Sequence, residues 1–314
     1  MKLEDIGFYT LSDARAKTSS EVSRLMRMEI LITSFCNFRC EYCRPLRCPS
    51  GNLRAERVEE MMEEGASHGL FALRLSGGEP TLHPDLPRLV KKASDLGIQK
   101  IAISTNGSAS HDLYRRLIEA GMNDVSVSLD ACCSSDACGM AGTDVDWDLL
   151  TDNINFLKRN IYTTVGVVVT SENSQKVSKI IRFAQDLGVA DIRLIPAAQD
   201  GQYMEVGDWK CNSPILKYRT ERARAGLPVR GIPENGTCKC RLVLDDLATD
   251  GTSHYPCIIY LRERGKPIGV MEDMTKVRSD RAKWSMQTDT SKDPICSKNC
   301  LDVCVAYNDA CLKL

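Results

Sequence analysis

The run Met28-Glu29-Ile30-Leu31-Ile32, followed by Cys36-Asn37-Phe38-Arg39-Cys40-Glu41-Tyr42-Cys43, decides how the rest of the chain is read. Its first five residues form an apolar, strand-like stretch, and the cysteines after it recur with Cys-x3-Cys-x2-Cys spacing. One short loop can thereby set three thiolates on a metal centre and leave a fourth position unfilled, where a cofactor or substrate can bind metal. Thiolate-rich sites without histidine favour iron–sulfur clusters or zinc, and both usually take four protein ligands. Cys48 lies only five residues past Cys43, so a closed four-cysteine site is the sterically possible alternative.

Downstream, Phe71-Ala72-Leu73-Arg74-Leu75-Ser76-Gly77-Gly78-Glu79-Pro80 runs an alternating strand pattern into two glycines, a carboxylate and a proline. Two glycines at a strand's end allow close backbone approach to a ligand, and Glu79 can accept from an ammonium group. Alone, this segment could be an ordinary turn. Together with the cysteine triplet it resembles the signature of the radical S-adenosylmethionine (SAM) superfamily. Both the Cys-x3-Cys-x-aromatic-Cys loop and the Gly-Gly-Glu-Pro segment of that family are present unaltered, and the resemblance covers roughly residues 25 to 200.

The resemblance implies that Cys36, Cys40 and Cys43 hold a 4Fe-4S cluster whose unique iron is chelated by the amino and carboxylate groups of SAM, with Cys48 spare. It implies that Gly77, Gly78, Glu79 and Pro80 contact the methionyl amine and that Tyr42 sits beside the adenine. An electron, from a donor such as flavodoxin or ferredoxin, cleaves the sulfonium in this family. The resulting 5'-deoxyadenosyl radical abstracts hydrogen from a substrate, the cofactor doing the hard chemistry while the protein positions it.

Strand-like runs at 28–32, 72–75, 101–104, 125–129, 165–170 and 192–195 alternate with amphipathic stretches at 57–68, 86–96, 112–120, 147–160 and 175–187. Such alternation predicts an α/β fold with a parallel sheet and its site at the carboxyl ends of the strands. The resembled family builds a partial (β/α)6 barrel, in agreement with six strands. By position after the third and fourth strands, Ser104, Asn106, Ser128 and Asp130 are expected to contact the ribose or the methionyl carboxylate, or to act as turn and cap residues. His83 is expected to cap a helix starting at Pro84, and Trp147 and Trp209 receive no role.

The 314 residues suffice for one large core and a smaller satellite, and 43% hydrophobic content is ordinary for a globular protein. Lys plus Arg at 41 against Asp plus Glu at 42 leaves a formal charge of −1, which gives no support to general attraction for nucleic acid. Residues 1–20 lack the apolar core of a secretory signal, and no run is long enough to span a bilayer, so a cytoplasmic, membrane-free protein is expected. Fifteen cysteines, an odd number at metal-ligand spacings, read as reduced thiols and clusters rather than disulfides.

The β/α rhythm stops after Pro196. The expected organisation is an N-terminal segment 1–24, a barrel domain 25–200 and a cysteine-rich domain 201–314, with the boundary near Gly201. Cys211 stands alone, and Cys238, Cys240, Cys257, Cys296, Cys300, Cys304 and Cys311 follow. Arg241 to Leu244, Asp250-Gly251 and Tyr255-Pro256-Cys257 read as a hairpin with thiolates at both ends. Cys296, Cys300 and Cys304 would share one helical face. This region is similar to the twitch or SPASM extensions of radical SAM enzymes, which implies at least one auxiliary 4Fe-4S cluster. Its first-choice ligands are Cys240, Cys257, Cys296 and Cys300, with Cys238 and Cys304 as substitutes. Its tail spacing departs from the usual set, which leaves a second cluster open.

Cys132, Cys133 and Cys138 follow the fourth strand, where a thiol could return a hydrogen atom to a substrate radical, or simply pack in a loop. The resemblance implies a small-molecule substrate, a sugar, aminocyclitol or nucleoside, oxidised or epimerised in natural-product biosynthesis. The alternative is a maturase of a ribosomal peptide or protein, disfavoured because few residues precede the first strand. A molybdenum-cofactor cyclase is also similar, but that family ends in Gly-Gly whereas this chain ends Cys311-Leu312-Lys313-Leu314. A non-catalytic metal-binding module would have no need of Gly-Gly-Glu-Pro.

Overall fold

A computed structural model describes residues 2–44, 51–198, 213–233, 236 and 238–312; Cys48, Trp209, Cys211 and the expected boundary at Gly201 lie outside these residues. Six parallel strands, β1 (Arg27–Thr33), β2 (Ala72–Gly77), β3 (Lys100–Thr105), β4 (Asp124–Ser128), β5 (Tyr162–Val169) and β6 (Asp191–Pro196), each pair with the next. Before β1 lies α1 (Asp13–Thr18), and the crossovers are α2 (Ala55–Ser67), α3 (Leu86–Asp95), α4 (His111–Glu119), α5 (Ser134–Ala141), α6 (Trp147–Asn160) and α7 (Val177–Leu187). After β6, α8 (Pro214–Arg224) packs back on that strand. The result is the expected partial barrel.

Alternation along each strand sorts the two faces. Met28, Ile30 and Ile32, Leu73 and Leu75, Ile101 and Ile103, and Val125 and Val127 enter one apolar cluster with the buried faces of the helices. In α3 that face is Leu86, Leu89, Val90 and Ala93, the i, i+3, i+4, i+7 set. The intervening residues face the other way, and several are polar. There Ser76 Oγ donates to Glu29 Oε1 at 2.8 Å, and Arg74 donates to Ser104 Oγ at 3.0 Å while pairing with Asp124 at 3.6 Å. Two-residue periodicity is thus what turns Ser104 and Ser128 toward the concave side.

The cysteine-rich region continues the barrel sheet, which its hairpin pattern alone did not suggest. β7 (Asp246–Thr249) pairs parallel with β1, from Arg27↔Asp246 to Ile30↔Thr249. β8 (Ser253–Tyr255) and β9 (Gly269–Val270) follow antiparallel, so the sheet order is β6-β5-β4-β3-β2-β1-β7-β8-β9. The hairpin turns at Asp250-Gly251, as read, with Asp250 Oδ1 accepting from the amides of Thr252 and Ser253 at 3.0 and 2.7 Å. Its first arm begins later than expected, because Leu242–Leu244 forms a 3-10 turn with all three side chains buried.

The remaining helices are α9 (Ile258–Arg262), α10 (Met274–Gln287), α11 (Cys296–Asn299) and α12 (Asp302–Leu312). The N-terminal segment packs on them: Leu3, Ile6, Leu11 and Ala16 form a second core with Leu242, Val303 and Tyr307. Among the described residues no helix is long and apolar enough to cross a membrane.

Candidate active site

A cleft of about 230 Å³, open to solvent, lies at the carboxyl ends of the barrel strands. Cys36, Cys40, Cys43 and Tyr42 line it from the loop after β1, Gly77, Gly78 and Glu79 from the end of β2, Ser104 and Asn106 from β3, and Ser128 and Asp130 from β4. The three thiols thus share one cavity, although among the described residues no three His, Cys, Asp or Glu side chains converge on a single-ion site. Three thiols on one loop, without an imidazole among them, match the donor chemistry of an iron–sulfur cluster. Burial raises the Cys36 thiol and pushes that of Cys40 up to about 11, so loading a cluster must release protons.

The two glycines serve the protein's own backbone. The Gly78 amide donates to Thr33 O at 2.9 Å and the Glu79 amide to Phe35 O at 2.7 Å, which ties the turn to the entry of the cysteine loop. A Cβ on Gly77 would lie 2.2 Å from Thr33 O, and one on Gly78 2.2 Å from Phe35 O; Gly77 also has φ +149°. Side chains at either position would push the cysteine loop away.

Glu79 is a clamp between strand ends. Its Oε1 accepts from the Thr81 amide at 3.0 Å, Thr81 Oγ1 at 2.6 Å and Thr105 Oγ1 at 2.7 Å, and its Oε2 from the Asn106 amide at 2.7 Å. Four donors thus fix a carboxylate that is buried at the edge of the cleft. Asn106 then reaches the cysteine loop, its Nδ2 donating to Asn37 Oδ1 at 2.8 Å, while Asn37 Nδ2 donates to Ser108 Oγ at 2.9 Å. Neither Asn37 nor Ser108 had a signal in the sequence. The loop's third anchor is the Arg39 amide, which donates to Ala141 O at 2.7 Å at the end of α5.

Tyr42 donates its hydroxyl to Asp130, whose other oxygen accepts from the Val168 amide at 2.6 Å. Burial raises both groups, Asp130 to about 6. Pro80, by contrast with the expectation, does not line the cleft; it is buried at the start of a 3-10 turn, Pro80–Leu82, that is capped by Glu79 and leaves Leu82 exposed. His83 departs from expectation too: α3 starts at Leu86, and buried His83 accepts from the Asp85 amide at Nδ1 while its Nε2 lies 2.8 Å from Leu53 O. Trp147 does line the cleft, stacked on Phe183 at 5.3 Å.

Cys132, Cys133 and Cys138 do not line the cleft. Cys132 packs against the main core, exposed Cys133 precedes α5 with Ser135 Oγ 3.5 Å from its sulfur, and Cys138 Sγ accepts from the Val145 amide at 3.3 Å. The extra helix α5 explains the difference, because it turns this segment into a buttress for Arg39.

A second cavity, of about 40 Å³, is lined by Cys240, Cys257, Cys296, Cys300 and Cys304 among apolar neighbours such as Leu242, Val243, Trp284 and Ile295. Cys304 joins the four first-choice residues, whereas Cys238 is exposed and Cys311 packs in the second core; neither lines the cavity. The expected single helix is broken between α11 and α12. There the Gly231 amide donates to Cys300 O at 2.9 Å, the Asp302 amide to Val229 O at 2.9 Å, and Arg219 pairs with Asp302 at 2.8 Å. Burial pushes the Cys240 thiol up to about 11 and raises those of Cys257 and Cys296. At Cys300 the hydrogen bond with Cys304 comes first and burial second.

Fully buried Arg281 staples this site, donating to the carbonyls of Val243 at 2.8 Å, Tyr255 at 2.7 Å and Pro256 at 3.0 Å, and to that of Asp246. Cys257 caps α9, its sulfur accepting from the Tyr260 amide at 3.5 Å. The far end of α9 returns to the cleft, where Arg262 joins the lining and Glu263 pairs with Arg44 of the cysteine loop.

The sequence model of the Radical SAM superfamily matches residues 30–184. A relative from Sulfolobus acidocaldarius named probable GTP 3',8-cyclase is 28% identical over 172 residues, 54% of this chain and 55% of that one. The chain thus spans about half the length of the curated relatives it matches. Among solved structures, native anSMEcpe with bound AdoMet superposes with a TM-score of 0.59 at 19% identity, covering 92% of this chain and 95% of that one. Streptococcus suis SuiB bound to S-adenosylmethionine gives 0.60 at 15%, covering 87% and 67%.

Proposed function

Since the chain belongs to the radical SAM superfamily, we propose that it is an enzyme that reductively cleaves SAM and abstracts hydrogen from a small polar substrate, a sugar, aminocyclitol or nucleoside, with oxidation as the outcome. A 4Fe-4S cluster and SAM are the cofactors of this family, and the cysteine-rich C-terminal region fits an auxiliary cluster. The observation that carries the reading is that the thiols of Cys36, Cys40 and Cys43, the Gly77–Glu79 turn, Asn106 and the Tyr42–Asp130 pair line one cleft. When bound, the cluster and SAM supply the 5'-deoxyadenosyl radical, and a fully thiolate-ligated auxiliary cluster supplies an electron acceptor.

The protein's own part is placement. Cys36, Cys40 and Cys43 hold the cluster on a loop anchored at Asn37 and Arg39. Gly77 and Gly78 present backbone to the methionyl end, with the Glu79 carboxylate beside it, and Ser104, Asn106 and Ser128 offer polar partners for SAM. Asp130 holds the Tyr42 ring against the cleft wall. Met140, Val145, Trp147 and Leu150 give that wall an apolar side that excludes water.

Oxidation is preferred to epimerisation because Cys240, Cys257, Cys296, Cys300 and Cys304 outnumber the four ligands a cluster needs. Cys132, Cys133 and Cys138 lie outside the cleft lining, away from where a hydrogen donor would work. A reductant of the flavodoxin or ferredoxin type would supply the electron. The similar proteins differ in substrate, GTP by name in one set and a peptide in a structure such as SuiB bound to precursor peptide SuiA. A substrate panel should therefore include nucleotides and peptides beside sugars and aminocyclitols.

Anaerobic reconstitution with iron and sulfide counting, followed by a SAM cleavage assay under dithionite, tests the proposal. Roughly eight irons per chain and 5'-deoxyadenosine formation are expected for two clusters. Cys36→Ala should lose about four irons and reduce 5'-deoxyadenosine to background. No 5'-deoxyadenosine from the iron-loaded wild type would remove the catalytic reading.

A further inference from the structure

We propose that Arg262 is the anion-receiving group of the cleft, so that the molecule from which hydrogen is abstracted carries a carboxylate or phosphate. This rests on the reading that the cleft is where SAM and substrate meet, and it narrows that substrate to an anionic derivative such as a sugar acid, a sugar phosphate or a nucleotide.

Arg262 is the last residue of α9, and it lines the same cleft as Cys36, Glu79 and Asp130. It is half-buried, and among the described residues its guanidinium has neither a hydrogen bond nor an ion pair. Other arginines nearby are engaged: Arg44 pairs with Glu263, and Arg230 donates to Pro196 O at 2.8 Å and Asn299 O at 3.3 Å. A guanidinium presents five donors in a planar fork suited to carboxylate or phosphate, and one withdrawn partly from water gains most from such a partner. The carboxylates that line the cleft are already engaged, Glu79 by Thr81, Thr105 and Asn106, and Asp130 by Tyr42 and the Val168 amide.

The helix that carries Arg262 is anchored before a ligand arrives. At one end of α9 the Tyr260 amide donates to Cys257 Sγ at 3.5 Å, and Tyr260 Oη donates to Asp293 at 3.0 Å. At the other end the Glu263–Arg44 pair ties the helix to the cysteine loop. An anchored helix removes the backbone share of the ordering cost when its last side chain binds an anion.

Two anions could meet it, one on the substrate and the carboxylate of SAM. SAM is common to the whole superfamily, whose model matches residues 30–184, and Arg262 lies outside that span. A group brought in from the C-terminal region serves what differs between members, which is the substrate.

The test uses the reconstituted, SAM-loaded holoprotein, with inorganic phosphate and acetate as probes in calorimetric titrations of wild type, Arg262→Lys and Arg262→Ala. The expected result is that at least one probe binds the wild type, about 10- to 100-fold more weakly in Arg262→Ala and in between in Arg262→Lys. SAM affinity should stay within about twofold across the series, since a lost charged hydrogen bond would shift it at least about tenfold. If neither probe binds the wild type, or Arg262→Ala binds as well as the wild type does, the proposal is wrong. A tenfold loss of SAM affinity in Arg262→Ala would assign the guanidinium to the SAM carboxylate and overturn the substrate claim. Iron content and circular dichroism check each variant, and Arg262→Gln replaces Arg262→Ala if that variant loses iron. The underlying reading fails separately, through absence of 5'-deoxyadenosine from the wild type.

Discussion

The cleft at the strand ends and the cysteine pocket of the C-terminal region present the same donor atom in different surroundings. Cys36 and Cys43 are exposed on a loop held by backbone and by Asn37. Cys240, Cys257, Cys296, Cys300 and Cys304 are half-buried among Leu242, Val243, Trp284 and Ile295, in a cavity of about 40 Å³ against about 230 Å³ for the open cleft. An open site with three thiols leaves room for a ligand to exchange, whereas an apolar site with surplus thiols keeps a permanent group and shields it. In the second arrangement burial keeps the thiols protonated until a cation sits beside them, so loading a cluster there must release protons.

Reciprocal substitutions should separate the two sites. The largest effect is expected from Arg281→Met, which removes four hydrogen bonds to buried carbonyls. Unfolding in urea should show a loss of about 3 kcal/mol or more, and iron per chain should fall toward the content of the SAM cluster alone. Unchanged iron and an unchanged midpoint would show that Arg281 does not organise the pocket.

Gly78→Ala should act on the other site. With its Cβ 2.2 Å from Phe35 O, the cysteine loop must shift, and the expected loss is about 1–3 kcal/mol. SAM affinity should drop while the C-terminal pocket keeps its iron. An equal loss of iron from both sites would mean that they are not independent.

A smaller effect concerns pH. His254 in β8 is fully buried, neither ring nitrogen has a partner among the described residues, and burial, aided by Arg281, depresses its pKa to about 3. The unfolded imidazole protonates near its ordinary value of about 6.5, so between these values the unfolded chain binds the extra proton. The stability contributed is complete above about pH 6.5 and is lost as pH falls, by about 2 kcal/mol from pH 7 to 5. Replacing His254 by Gln should flatten that part of the stability–pH curve, and an unchanged slope would assign the acid sensitivity elsewhere.

The barrel was largely legible because its signals are local. Val, Ile and Leu alternation marked β1 to β6 to within three residues at either end, and helical periodicity marked α2, α3, α4, α6 and α7. Helix α5 was missed: Ser134–Ala141 has little apolar asymmetry, and Gly142 at φ +62° was its one end signal. Strand β7 was hidden for a different reason, since a four-residue stretch reveals its pairing with β1 only when the two meet.

The cysteine triplet and Gly-Gly-Glu-Pro announce themselves in the sequence because their spacing is a property of neighbouring residues. Tertiary structure alone decided that Gly77 and Gly78 make room for Thr33 and Phe35, and that Glu79 clamps Thr105 and Asn106. It also decided that Cys304 rather than Cys238 joins the second cavity, and that Arg262 reaches the first. Each of these depends on segments far apart in the chain approaching within a few ångströms. Local periodicity and spacing hold no record of such approaches; packing of the whole sheet produces them.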